Sequence, residues 1–262
     1  MIAELVEIFE SWIGMAALLG LAGLSMVVYA GTGQRRDQDA LRKGSQFAGG
    51  SGNFLVHWFL WMIVPADRLF LRLGLSPDVF NFAGLCFGAL SGAFIAAGRL
   101  ELGGWAIALG GVADIFDGRI ARARNIASAY GKFIDSTLDR FVEVFAFLGF
   151  VYYLRGFTYG PLLATAAITG SLLVSYTRAR GESVGVLCQE GLMQRAERLV
   201  LTCLACLADA GVTDAFDWPR GRLVLWVVGL IAAGTFVTAA HRTVWISRRL
   251  READRAGRPP AP

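Results

Sequence analysis

An all-α bundle embedded in a membrane is the architecture expected for these 262 residues. Three features carry that expectation: the apolar content, the length of the apolar runs and the placing of the arginines. Hydrophobic residues make up 55% of the chain and the mean hydropathy is +0.51. Soluble domains reach about half only when glycine is counted among the apolar residues. Several runs approach the roughly 20 apolar residues that a helix needs to cross a bilayer. In lipid the backbone must satisfy its own polar groups, which favours helices. The net charge of +4 does not point to nucleic acid. Lys and Arg lie between the apolar runs, where they set topology and face anionic lipid.

Residues 1–31 read as a transmembrane anchor: Glu4, Glu7 and Glu10 replace the basic region of a cleavable signal, and the run Trp12–Tyr29 is long for one. A polar linker is expected at 32–53. The stretch 54–74 is apolar and aromatic but broken by Pro65, Asp67, Arg68 and Arg72, so an interfacial amphipathic helix is expected. A six-helix membrane domain then covers 75–248, with spans at 78–97, 102–125, 132–154, 160–179, 195–211 and 222–245. Residues 249–262 form a cytoplasmic tail. The first of the six spans holds Gly84, Gly88 and Gly92, a stripe of small residues that predicts close helix packing. Cys203 and Cys206 stand in an apolar helix and read as small packing residues; no disulfide framework is expected. His57 and His241 read as packing or interface residues rather than metal ligands.

The basic clusters alternate correctly to lie on one side. They are Arg35, Arg36, Arg42 and Lys43; Arg119, Arg122, Arg124 and Lys132; Arg178 and Arg180; and Arg248, Arg249 and Arg251. The opposite loops are shorter or acidic, with Glu101, Asp209, Asp214 and Asp217. The basic side is the cytoplasm, and the expected location is a multi-pass inner-membrane protein.

The segment DIFDGRIARARNIASAYGKFIDSTLDR begins at Asp114. Asp114 and Asp117 are three residues apart and Asp135 and Asp139 four apart, so each pair shares a helix face. The short loop between them makes the two helices antiparallel neighbours. Four converging carboxylates repel and need neutralisation. All-oxygen ligation suits Mg²⁺, or Mn²⁺, and two such ions would hold a pyrophosphate and stabilise a leaving phosphate. Gly118, Ala121 and Gly131 lack bulk beside these acids, which lets a planar base or a phosphate approach the backbone. Arg122 can reach a phosphate oxygen. The competing reading pairs the acids with Arg119, Arg122 and Arg140, but four acids, two glycines and an arginine at these intervals ask for more than that.

These residues resemble the signature of the CDP-alcohol phosphotransferase family, D-x2-D-G-x2-A-R-x8-G-x3-D-x3-D. Asp114, Asp117, Gly118, Ala121, Arg122, Gly131, Asp135 and Asp139 fill every fixed position. The resemblance implies a six-helix fold preceded by an interfacial helix, to which the anchor is an addition. It implies that Asp114, Asp117, Asp135 and Asp139 bind two metal ions and that Asp139 is the base for the acceptor hydroxyl. Gly118, Arg122 and Ser128 would contact the CDP part of the donor, CDP-diacylglycerol. The acceptor oxygen would attack the lipid-side phosphorus and CMP would leave, with positioning and charge neutralisation supplying most of the catalysis. Because an aspartate is a weak base, the metals are expected to lower the acceptor's pKa. A homodimer is also implied.

Elsewhere, Pro77 and Asp78 resemble the family's entry to its first span, although Asn81 stands where Thr is usual; nucleotide contact is expected at Asp78 and Asn81. SYTRARGESVG at 175–185 and QRAERL at 194–199 resemble segments of the phosphatidylinositol phosphate synthases of actinobacteria. By that resemblance Ser175, Arg178, Arg195 and Arg198 form a pocket for inositol phosphate. Arg178 replaces the usual Lys and Gly181 the usual Ala, which leaves room for a related acceptor. Taken singly, these arginines could serve topology or snorkel at helix ends. Glycerol 3-phosphate is the second choice of acceptor; serine and free inositol fit less well because neither needs so many cations. A cation transporter would carry acids deep in several spans and show an inverted repeat; here the acids cluster in one place.

Overall fold

The computed structural model describes residues 20, 23–31, 53–188 and 190–256. The linker before Asn53, most of the expected anchor and residues 257–262 lie outside them. The chain divides into two compact units, Met1–Leu75 and Ser76–Pro262.

In the first unit, residues 23–31 are helical and helix α1 spans Asn53–Arg72. Tyr29 is buried, with its ring 5.6 Å from those of Phe54 and Trp61. The Trp58 indole N–H donates to Ser25 Oγ at 3.0 Å. Helix α1 covers the stretch expected to lie in the interface, carries Pro65 inside it and exposes Trp61, Met62 and Leu69.

Six α-helices follow among the described residues of the second unit. They are α2 (Pro77–Ala96), α3 (Leu100–Ala123), α4 (Ala129–Tyr153), α5 (Gly160–Ser183), α6 (Arg195–Ala215) and α7 (Arg222–Ala256). A 3₁₀ turn at Leu154–Gly156 closes α4. Local chemistry sets the boundaries. Pro77 opens α2, where its missing N–H is no loss and its φ is already helical. Ser128 caps α4, its Oγ accepting from the Gly131 N–H at 3.1 Å. Asn125, with φ of 55°, turns the chain after α3. Helix α7 does not stop near residue 248: Arg, Leu, Glu and Ala favour helix and no breaker intervenes before Gly257, so it runs to Ala256.

Helices α2, α5 and α7 are each long and apolar enough to cross a membrane by length and composition. Helices α3, α4 and α6 carry charged residues within the stretch that would cross, whereas those of α5 and most of those of α7 gather toward their C-terminal ends. The glycine stripe does what its spacing predicts. A Cβ on Gly88 would meet Val142 of α4 at 2.7 Å, and one on Gly92 would overlap the Phe145 carbonyl. Gly84 faces Gly110 of α3. Helix α2 therefore lies close to both α3 and α4. Helix α5 packs on α7, and α6 on α3 and α7. Cys86, Cys188, Cys203 and Cys206 are all free thiols, and Cys206 belongs to the main apolar core.

Two buried charges lock helix ends together. Asp209 is inside α6 rather than in a loop. It is 1% exposed and accepts from the backbone N–H of Gly221 (2.7 Å) and Val224 (3.3 Å), capping α7. Arg242 of α7 donates to the carbonyls of Glu190 (2.7 Å) and Val174 (2.9 Å). The Met193 N–H reaches Thr238 Oγ1 at 3.0 Å. The α5–α6 connection is thus pinned on α7, which fixes where Arg195 begins α6.

Candidate active site

Helices of alternating direction bring the start of α2, α4 and α6 and the end of α3, α5 and α7 to one end of the bundle. Phe80 near the start of α2 touches Phe116 of α3, with ring centroids 5.6 Å apart, which packs the first turn of α2 against the turn of α3 that carries Asp114 and Asp117. Asp78 is exposed and Asn81 half-buried.

Asp114 of α3 and Asp135 and Asp139 of α4 converge. Each offers a carboxylate oxygen, all within 4.8 Å of one another, and all three side chains are half-buried. The donor set is oxygen only, anionic and reachable from outside, which fits a hard divalent cation. Asp117 lies outside that set of three. It is buried, and its Oδ1 accepts from the N–H of Gly118.

Arg195, first residue of α6, closes the cluster. Its Nη1 lies 3.0 Å from Asp114 Oδ2 and its Nη2 2.5 Å from Asp139 Oδ1, so one guanidinium ties α3, α4 and α6 together. Arg198, one turn on, has a different place. Its side chain is 2% exposed, Nε and Nη2 grip both oxygens of Glu143, and Nη1 donates to the Met193 carbonyl at 3.0 Å. All three of its nitrogens are engaged, so it braces α6 against α4. Arg178 is exposed and pairs with Glu182 along α5, Nε to Oε1 3.0 Å. Ser175 is half-buried one turn before it. Arg140 interacts electrostatically with Asp139, Glu143, Arg195 and Arg178, so the acids are edged by a cationic field.

The residues that the resemblance assigns to the donor also stand at this end of the bundle. The Arg122 guanidinium lies over Gly118, where a Cβ would meet Nη1 at 3.0 Å. Ala121 is half-buried, and Ser128 and Gly131 form the cap of α4. Glu143 is the residue that sequence reasoning passed over. Its signal was present: Asp135, Asp139 and Glu143 recur every four residues on one face of α4.

Residues 75–216 match the CDP-alcohol phosphatidyltransferase family. The chain is 34% identical over 206 residues to a phosphatidylinositol phosphate synthase of Streptomyces avermitilis, covering 76% of this chain and 83% of that one. It is 33% identical over 192 residues to an archaetidylinositol phosphate synthase of Methanothermobacter thermautotrophicus, covering 71% and 93%. Among solved structures it resembles the Mycobacterium tuberculosis phosphatidylinositol phosphate synthase with CDP-DAG bound. That match has a TM-score of 0.60 and 26% identity, and covers 70% of this chain and 92% of that one. The same enzyme with manganese and citrate matches with the same score and identity, covering 70% and 87%. The family signature is complete, three of its four acids converge, and the family match covers more than half of the chain, so the chain belongs to the CDP-alcohol phosphatidyltransferase family.

Proposed function

We propose that this protein transfers the phosphatidyl group of CDP-diacylglycerol to inositol phosphate, releasing CMP and leaving a phosphatidylinositol phosphate in the membrane. The observation that carries this reading is the carboxylate cluster of Asp114, Asp135 and Asp139 set against Arg195 and edged by Arg140 and Arg178. Acids for a cation and cations for an anionic acceptor stand side by side. The acceptor choice has a second support. The two relatives differ in the lipid they are named for and share inositol phosphate in their names.

In the reaction, the acceptor hydroxyl oxygen forms a bond to the lipid-side phosphorus. The bond from that phosphorus to the bridging oxygen breaks, and CMP carries the electron pair away. Asp139 takes the hydroxyl proton. Gly118, with no side chain, admits the nucleotide to the backbone; Arg122 and Ser128 contact its polar groups, while Ala121 and Gly131 keep the approach open. Asp78 and Asn81 meet the nucleotide from the start of α2. Ser175, Arg178 and Arg195 hold the acceptor, and Arg198 acts behind them by keeping Arg195 in place. Asp114, Asp117, Asp135 and Asp139 would hold two Mg²⁺ ions, which Mn²⁺ could replace, and bound there the ions would neutralise the pyrophosphate and the charge developing on the leaving phosphate.

The six helices from Pro77 to Ala256 cross the inner membrane with the site on the cytoplasmic side. Residues 1–31 add an anchor, 32–53 link it to the interfacial helix, and two copies form a dimer. The test is CMP release by purified protein given CDP-diacylglycerol, Mg²⁺ and a panel of acceptors. Release is expected with inositol phosphate. No release with any acceptor would sink the enzyme reading, and release with glycerol 3-phosphate alone would replace the acceptor.

A further inference from the structure

Arg195 and Arg198 sit three residues apart on one face of α6, yet they are held in opposite ways. Arg198 is sealed: its side chain is 2% exposed and every nitrogen is spent on Glu143 or Met193. Arg195 keeps 32% of its side chain exposed and spends itself on Asp114 and Asp139. Those are carboxylates of the cluster whose oxygens suit a divalent cation. A divalent ion concentrates more charge on the same oxygens than a guanidinium does. Once deprived of Asp114 and Asp139, Arg195 would keep only Glu143 as an acidic neighbour among the groups acting on it, and both oxygens of Glu143 are already held by Arg198, while Arg140 stands close by. A cation in that company is satisfied by an oxyanion.

We infer that Arg195 is an exchangeable counter-ion. It bridges Asp114 and Asp139 until a divalent cation takes those oxygens, then turns to the phosphate of the acceptor, so cation binding prepares the acceptor site. The Glu143–Arg198 pair makes this possible by holding the first turn of α6 still while Arg195 swings. By reciprocity, an acceptor that draws Arg195 away must tighten cation binding by the same factor. This inference rests on the proposed cation and phosphorylated acceptor.

The test uses the full chain in detergent, with free Mn²⁺ followed by its electron paramagnetic resonance signal. Arg195→Gln removes the competitor and should bind Mn²⁺ roughly 5-fold or more tightly than wild type. Asp139→Asn should bind it more weakly. A second measurement needs no variant: phenylglyoxal labelling of Arg195, read by peptide mass. Labelling should be several-fold faster with Mn²⁺ than with EDTA, and added inositol phosphate, but not inositol, should slow it again. Unchanged or weaker Mn²⁺ binding in folded Arg195→Gln overturns the exchange, and so does labelling that ignores Mn²⁺. Labelling that Mn²⁺ speeds but inositol phosphate does not slow overturns the turn toward the acceptor. If Asp139→Asn leaves Mn²⁺ binding intact, the cation reading of the cluster fails first and takes the exchange with it.

Discussion

Asp139 has two partners to serve. It holds Arg195 at 2.5 Å, and in the proposed reaction one of its oxygens takes the acceptor proton. Asp139→Asn keeps the shape and removes the base. At saturating Mg²⁺, which offsets the weaker cation binding expected of the same variant, turnover should fall by roughly 10²–10⁴-fold, the range for loss of a general base, while CDP-diacylglycerol still binds; CMP release and donor binding measured side by side decide it. Near-normal turnover would contradict the assignment. Arg178 is a sharper test of the acceptor, because its only pairing described is with Glu182 at the surface. Arg178→Ala should raise the KM for inositol phosphate by about tenfold, as loss of a hydrogen bond to a charged group does, with the KM for the donor unchanged. A larger effect on the donor would move Arg178 out of the acceptor pocket. At this scale the aspartates of the signature were legible because helix periodicity puts their pairs on single faces. Arg198 was legible only as a cation. Its bond to Glu143 joins residues far apart in the chain, and no local spacing announces such a partner.

Helices were read from the sequence nearly as they fold, since apolar runs, Pro77 and the short polar connections mark their ends. Two features escaped. Helix α7 runs on because charged residues that read as a tail are also good helix formers. Asp209 looked like part of an acidic loop but caps α7 from inside α6; a cap made across two helices leaves no trace in either one alone. The packing between elements gives two further predictions. Gly88→Leu drives a side chain into Val142, where even a Cβ would come within 2.7 Å. It should destabilise the bundle by about 1–3 kcal/mol, seen as a lower unfolding temperature in detergent. Glu143→Ala leaves Arg198 buried without its anion. Removing one partner of such a pair destabilises by about 3–5 kcal/mol, so this variant should unfold earlier than Arg195→Gln, whose guanidinium is partly exposed. If Arg195→Gln is the less stable of the two, the division into a fixed and an exchangeable arginine is wrong.

Basic residues are divided unequally between the two ends of the bundle, and this division bears on which side the proposed site faces. The end with the aspartates also carries Arg119, Arg122, Arg124, Lys132, Arg178, Arg180, Arg248, Arg249 and Arg251. The far end has cations of its own, Arg99, Arg155, Arg220 and Arg222, but it adds Glu101, Asp214 and Asp217 to them. One of those arginines is neutralised where it stands: Arg220 meets Asp214 at 2.9 Å. Lys and Arg are therefore more numerous at the site end, and the positive-inside rule, which counts those residues, supports the proposed cytoplasmic site. A water-soluble acceptor and the departing CMP then share a compartment, and only the lipid donor needs to reach the site from within the bilayer. The prediction is one of sidedness. In a background lacking the four native cysteines, Asp217→Cys should react with a membrane-impermeant maleimide added to right-side-out vesicles. Asp254→Cys, at the exposed end of α7, should react only in inverted or permeabilised ones. The reverse pattern would put the aspartates outside the cell, away from the nucleotide chemistry proposed for them, and labelling of both positions from one side would mean that α7 does not cross.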